Sequence, residues 1–124
     1  NANPGSLNAA IDTLAACEER AWLVLGDMRE LGADAELLHA EAGRRAKNAG
    51  IDRLYALGPL SRHAVEAFGE DGHHFATHAQ LAEALQSGLR DGVRVLVKGS
   101  RGSAMDKIVS ALLRADEGND PDAA

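Results

Sequence analysis

Two short apolar runs set the pattern of this chain. Ala21-Trp22-Leu23-Val24-Leu25 and Val93-Arg94-Val95-Leu96-Val97 read as strands, and each stops at a glycine beside charged residues. The first is continuous rather than alternating, which is the habit of a parallel strand covered on both faces by helices. Between and around them, apolar residues recur at helical spacing. Leu7, Ala10, Ile11 and Leu14 predict a helix through about Ala16, opened by Asn3 as N-cap and Pro4 at the first helical position. Leu37, Leu38, Ala42, Ala46 and Ala49 predict the buried side of a second helix, capped by Asp34 and closed by Gly50. Its polar side carries Arg44, Arg45 and Lys47.

Arg53 to Leu57 reads as another strand, followed by a helix from about Ser61 to Phe68 with Ala64, Val65 and Phe68 inward. His74-Phe75-Ala76 is a short strand expected near a sheet edge. Thr77 then caps a helix marked by Leu81, Ala82, Leu85 and Leu89. Ser103 to Leu113 reads as a last helix, and 114–124 as an acidic, disordered tail. The order is one helix, then strand and helix repeated. Right-handed crossovers make that an α/β fold: a Rossmann-like, doubly wound, mostly parallel sheet of about four strands with helices on both faces. A helix at the very start of such a unit normally follows a strand. Together with a first residue that is Asn1 rather than Met, this suggests a piece of a longer protein.

Composition narrows the classes. A chain of 124 residues is one domain and buries roughly two-thirds of its unfolded surface. Aromatics are only 3% of it, so Ala, Leu and Val fill the core. The net charge of −6 argues against nucleic acid or an anionic membrane as the main partner. No apolar run approaches the ~20 residues of a bilayer span. Cys17 is the single cysteine, so no internal disulfide forms, which fits a reducing, cytoplasmic setting. Nor does it have a base nearby in sequence to make it a nucleophile. His63, His73, His74 and His78 lack ligand spacing for a metal and are expected on solvated surface.

Ligands of wound sheets sit at the carboxyl ends of the strands. One such end here is Gly26-Asp27-Met28-Arg29-Glu30-Leu31-Gly32 and another is Lys98-Gly99-Ser100-Arg101-Gly102. One carries carboxylates, the other cations, and the two loops are expected to face the same cleft. Asp27 and Glu30 suit an ammonium, a catalytic cation or a metal-bound water, or else close their loop by side chain–backbone bonds. Lys98, Ser100 and Arg101 around Gly99 suit a carboxylate or phosphate, with the following helix N-terminus adding to the field. A Lys98–Asp27 salt bridge is the alternative.

At these motifs the chain resembles the C-terminal domain of the Mur ligases. NANP, LGDMRELG followed by Leu38-His39, and VLVKGSRG resemble in particular the branch that adds D-alanyl-D-alanine to UDP-N-acetylmuramoyl-tripeptide. The resemblance runs from Asn1 to about Leu113, making 1–113 the domain. It implies an ATP-dependent amide ligase of peptidoglycan synthesis, with ATP and Mg²⁺ held mainly by a central domain and the UDP-sugar by an N-terminal one. This third domain closes over them. No G-x-x-x-x-G-K-[ST] cradle occurs here, so the domain alone is expected to be inactive.

The resemblance also implies roles by residue. Asp27, Lys98 and Arg101 stand as catalytic candidates. Gly99, Ser100, Glu30, Ser61, Arg62 and His39 stand as substrate-binding ones, although a lone helical His is more often structural. Asn1 and Asn3 lie near the nucleotide by resemblance, while Asn3 is equally suited to capping its helix. The rival readings are a free-standing module that binds a small anion or a protein, and another ligase of the superfamily, of the folylpolyglutamate or cyanophycin synthetase type.

Overall fold

The computed structural model describes residues 3–17, 20–29, 31–89, 92–99 and Met105. Along them run α1 (Pro4–Ala15), β1 (Arg20–Gly26), α2 (Ala35–Ala49), β2 (Arg53–Leu57), α3 (Ser61–Phe68), β3 (Gly72–Phe75), α4 (His78–Gly88) and β4 (Val93–Lys98). The strands form one sheet in the order β3-β2-β1-β4, and every neighbouring pair is parallel. The wound α/β reading of the sequence therefore stands. Of the predicted last helix, Ser103 to Leu113, only Met105 is among the described residues, and the 114–124 tail lies outside them.

β1 is central, and alternation along it serves two cores. Ala21, Leu23 and Leu25 pack with Leu7, Ile11 and Leu14 of α1, Ala42 and Ala46 of α2, and Ala64 and Phe68 of α3. Trp22 and Val24 face the other way, with Tyr55, Leu57, Leu81, Leu85 and Met105. This division follows from handedness. The chain steps from β1 to β2 to β3 in one direction and back to β4 in the other, so right-handed crossovers place α2 and α3 on one face and α4 on the opposite one.

Local chemistry fixes the helix ends. Asn3 caps α1 through a capping box, its side chain accepting from the Ser6 N–H while the Ser6 hydroxyl accepts from the Asn3 N–H. Thr77 caps α4 by accepting from the Gln80 N–H, and Gly50 ends α2 in the left-handed conformation. At α2 the expectation needs correction. Asp34 makes no side-chain cap bond and belongs to a 3-10 turn, Gly32–Asp34, that leads into the helix. Leu37 is also misplaced by the pattern, being 54% exposed. The buried positions are His39, Ala42, Gly43 and Ala46, a clean three-and-four spacing that excludes Leu37 from the face.

Gly43 explains how closely this face packs. A Cβ added there would overlap the backbone carbonyl of Ala64, so α2 and α3 touch main chain to main chain. Around that contact, the Lys47 ammonium lies 4.8 Å from the centre of the Phe68 ring. On the opposite face the Arg53 guanidinium stacks on Trp22 at 4.7 Å, and donates to the Tyr55 hydroxyl at 3.1 Å. That hydrogen bond leads the interactions that raise the Arg53 pKa above its ordinary value. No helix among the described residues is long and apolar enough to cross a membrane.

Candidate functional site

The parallel register brings the two charged strand ends to one rim. Leu25 pairs with Lys98, so Asp27 and Lys98 both leave the sheet at its carboxyl edge, from adjacent strands. From β1 the chain passes to α2 on one face, whereas Met105, beyond β4, packs in the core of the other face. The boundary between β1 and β4 is therefore the switch point at which wound sheets bind ligands. The described ion pairs are Arg45–Asp12 and His63–Glu36, and neither involves Lys98 or Asp27.

Asp27 has local partners instead. Its Oδ1 accepts from the Ser61 N–H at 2.8 Å and its Oδ2 from the Leu60 N–H at 3.2 Å. Pro59 and Leu60 form the turn that opens α3, and its N-cap, Leu60, makes no side-chain cap bond, so these N–H groups have no cap of their own. A carboxylate from the neighbouring strand takes that place, where the helix dipole favours it. Gly58 is required for the approach: its φ is +111°, and a Cβ there would overlap the Asp27 carboxylate. The Gly58 carbonyl in turn accepts from His74 Nε2 at 2.8 Å. That half-buried ring ties β3 to the rim, which corrects the expectation of solvated surface for His74. His73 packs its ring against Tyr55 at a centroid distance of 5.4 Å.

His39 lies beneath this loop. It is fully buried, and both ring nitrogens are engaged: Nε2 accepts from the Met28 N–H at 3.0 Å and Nδ1 lies 2.7 Å from the Ala35 carbonyl. Its imidazole is thus not presented to a ligand. Ser61 is also fully buried, and its hydroxyl has no hydrogen-bond partner among the described residues. Arg62, next to it, is exposed. Asn3 is engaged as the α1 cap. Gly99 is half-buried at the end of β4. Asn1, Glu30, Ser100 and Arg101 lie outside the described residues.

A cavity of about 360 Å³ opens beside Asp27, walled by Met28, Arg29, Leu31, Ala35, Pro59 and Leu60. It joins one carboxylate and one guanidinium to apolar walls. Among the described residues no group of three or more His, Cys, Asp or Glu side chains is gathered to hold a metal.

Residues 1–101 match the family described as Mur ligase, glutamate ligase domain. The chain belongs to the Mur ligase family. Among relatives of this Mur ligase domain, the UDP-N-acetylmuramoyl-tripeptide–D-alanyl-D-alanine ligase of Escherichia coli strain K12 is 43% identical over 114 residues, covering 90% of this chain and 25% of that protein. The enzyme of the same name from Bacillus subtilis strain 168 is 34% identical, covering 93% and 27%. A crystal structure of MurF from Acinetobacter baumannii matches with a TM-score of 0.80 at 29% identity, over 92% of this chain and 26% of that one. A MurF ligase from Thermotoga maritima in complex with ADP shares the fold, with a TM-score of 0.84 at 22% identity over 97% and 28%. This Mur ligase domain spans about a quarter of the length of these relatives. The resemblance read from NANP, LGDMRELG and KGSRG is thus the family the chain belongs to.

Three residues that shape the rim, Gly58, Met28 and His74, were not singled out among the candidate residues, although the first two lie in strand-end loops. The Gly58-Pro59 pair marked a turn, but nothing local tells that its N–H groups await a carboxylate thirty-odd positions upstream.

Proposed function

We propose that this domain closes over the nucleotide-binding domain of an ATP-dependent ligase that joins D-Ala-D-Ala to UDP-N-acetylmuramoyl-tripeptide in the cytoplasm. The supporting observation is the Leu25–Lys98 register, which sets a carboxylate and a cation on one rim at the sheet's switch point. ATP with Mg²⁺, held mainly by the central domain, supplies the phosphoryl group that activates the tripeptide's terminal carboxylate. The amine of the dipeptide then attacks that carbonyl, a C–N bond forms, and phosphate and a proton leave.

The residues of this chain position and neutralise. Asp27 engages two N–H groups, and a carboxylate has further lone pairs for the ammonium end of the dipeptide in the adjoining cavity. Glu30 adds charge to the same loop, and Ser61 and Arg62 serve the same end of the substrate. Lys98, with Gly99, Ser100 and Arg101, holds the dipeptide carboxylate or the negative charge that develops on the phosphate side. A cation fixed before the reaction stabilises that charge without reorganisation. Asn1 and Asn3 belong to the segment nearest the nucleotide.

The test is Lys98→Ala in the full-length ligase. Ligation should slow by about a hundredfold or more, while the melting temperature shifts little because Lys98 is half-buried at a strand end. Loss of activity in step with loss of stability would make the residue structural. Absence of ligation by the unsubstituted protein, with both substrates and ATP present, would overturn the proposal outright.

A further inference from the structure

We infer that His39 is a positioning residue: in one neutral tautomer it fixes the backbone of the Asp27 loop and thereby shapes the cavity that receives the amine substrate. The substrate assignment rests on the ligase reading above; the tautomer and the clamp rest on geometry alone.

The tautomer follows from its neighbours. The Met28 N–H is a donor, so His39 Nε2 must present its lone pair. The ring proton therefore sits on Nδ1 and is donated to the Ala35 carbonyl. Those two backbone groups flank the loop from opposite ends, one directly after Asp27 and the other at the start of α2. Both residues line the 360 Å³ cavity. A single rigid ring thus spans the loop from below and sets how far its two ends stand apart. Met28 and His39 are both 0% exposed, so water is not at hand to replace the bond between them, while the bond to the half-buried Ala35 is part-buried.

The clamp is continuous with the Asp27 contacts. Fixing the Met28 N–H fixes the peptide plane joining Asp27 to Met28, and with it the direction from which the carboxylate meets Leu60 and Ser61. A misplacement of about an ångström is enough to weaken substrate positioning strongly. His39 acts through that geometry, not by touching substrate. A buried histidine that merely filled space would need neither nitrogen in a specified state.

Two variants separate these roles. His39→Gln keeps an acceptor close to the place of Nε2, and His39→Asn keeps a donor close to the place of Nδ1 while leaving the Met28 N–H unpaired. Each is made in the full-length ligase and read in two ways. Amide hydrogen exchange followed by mass spectrometry should rise by about tenfold or more at Met28 in His39→Asn and stay near the parent value in His39→Gln, with peptides from β2 unchanged in both. In ligation assays, the KM for D-Ala-D-Ala should rise about tenfold in His39→Asn and recover in His39→Gln, while the KM for ATP stays fixed. Should His39→Asn not fold, His39→Gln alone decides: parent-like exchange at Met28 supports the clamp, and exchange as fast as in an unfolded peptide overturns it. Equal damage by both variants, or raised exchange without any change in KM, also overturns the positioning role. If the parent protein ligates nothing, the ligase reading fails and the exchange result still decides the clamp.

Discussion

The carboxylate of Asp27 accepts the backbone N–H of Ser61 at 2.8 Å, so the loop that ends β1 supplies the cap that α3 lacks. The residue is therefore both the wall of a cavity and a structural tie between two neighbouring strand ends. Asp27→Ala leaves two N–H groups without an acceptor. It should cost about 1–3 kcal/mol, measured as the shift in the denaturant midpoint of this chain. Asp27→Asn keeps one acceptor oxygen and should lose less. The order of the two variants is the check, and equal losses would show that only the charge matters.

Ser61 makes the opposite case. Its hydroxyl is buried without a partner among the described residues, so Ser61→Ala removes a polar atom whose desolvation none of them offsets. Thermal unfolding should show the variant as stable as the parent or up to about 1 kcal/mol more stable. Ligation by the full-length protein would still fall if the hydroxyl meets substrate. A stability loss above 1 kcal/mol would mean that the hydroxyl has a partner in solution.

Gly43→Ala sets two effects against each other. Alanine is favoured over glycine in a helix by about 1 kcal/mol. Here, however, the added methyl would overlap main chain at Ala64, which has no flexible side chain to swing aside. Overpacking should win, with a net destabilisation of about 1–3 kcal/mol, seen as a lower midpoint with an unchanged slope in urea. A gain in stability would show that α2 and α3 can separate freely.

The Arg45–Asp12 pair joins α2 to α1 at 2.6 Å, yet the two side chains are 46% and 55% exposed. Short distance does not make a strong bridge in water. A double-mutant cycle with Arg45→Met and Asp12→Ala should give a coupling below about 1 kcal/mol, shrinking further in 1 M salt.

Much of this architecture was legible because its signals are local. Asn3, Pro4, Thr77 and Gly50 act within a turn or two of themselves, and α3 runs from Ser61 to Phe68 as its spacing predicts. The continuous apolar run of β1 announced a strand buried on both sides, and all but its first residue are buried. What was not legible is set by contacts between distant segments. Leu37 reads as core in any count of apolar residues, yet α2 turns His39 and Gly43 inward, because α3 presents a backbone surface that only a glycine meets. A buried histidine gripping Met28 looks, in one dimension, like any polar helix residue. Likewise, His74 stood among five histidines with no hint that one would reach the Gly58 carbonyl.

β4, last of the described strands, lies against β1, the first of them. Its residues Val93–Lys98 complete one edge of the central strand, which is paired on its other edge with β2. A ribosome making this chain must therefore release nearly all of it before the middle of the sheet can be finished, and a pairing between such remote segments is slow to form. Until then β1 exposes an apolar edge. Nascent chains stalled before residue 93 should be the ones that chaperones hold and proteases cut.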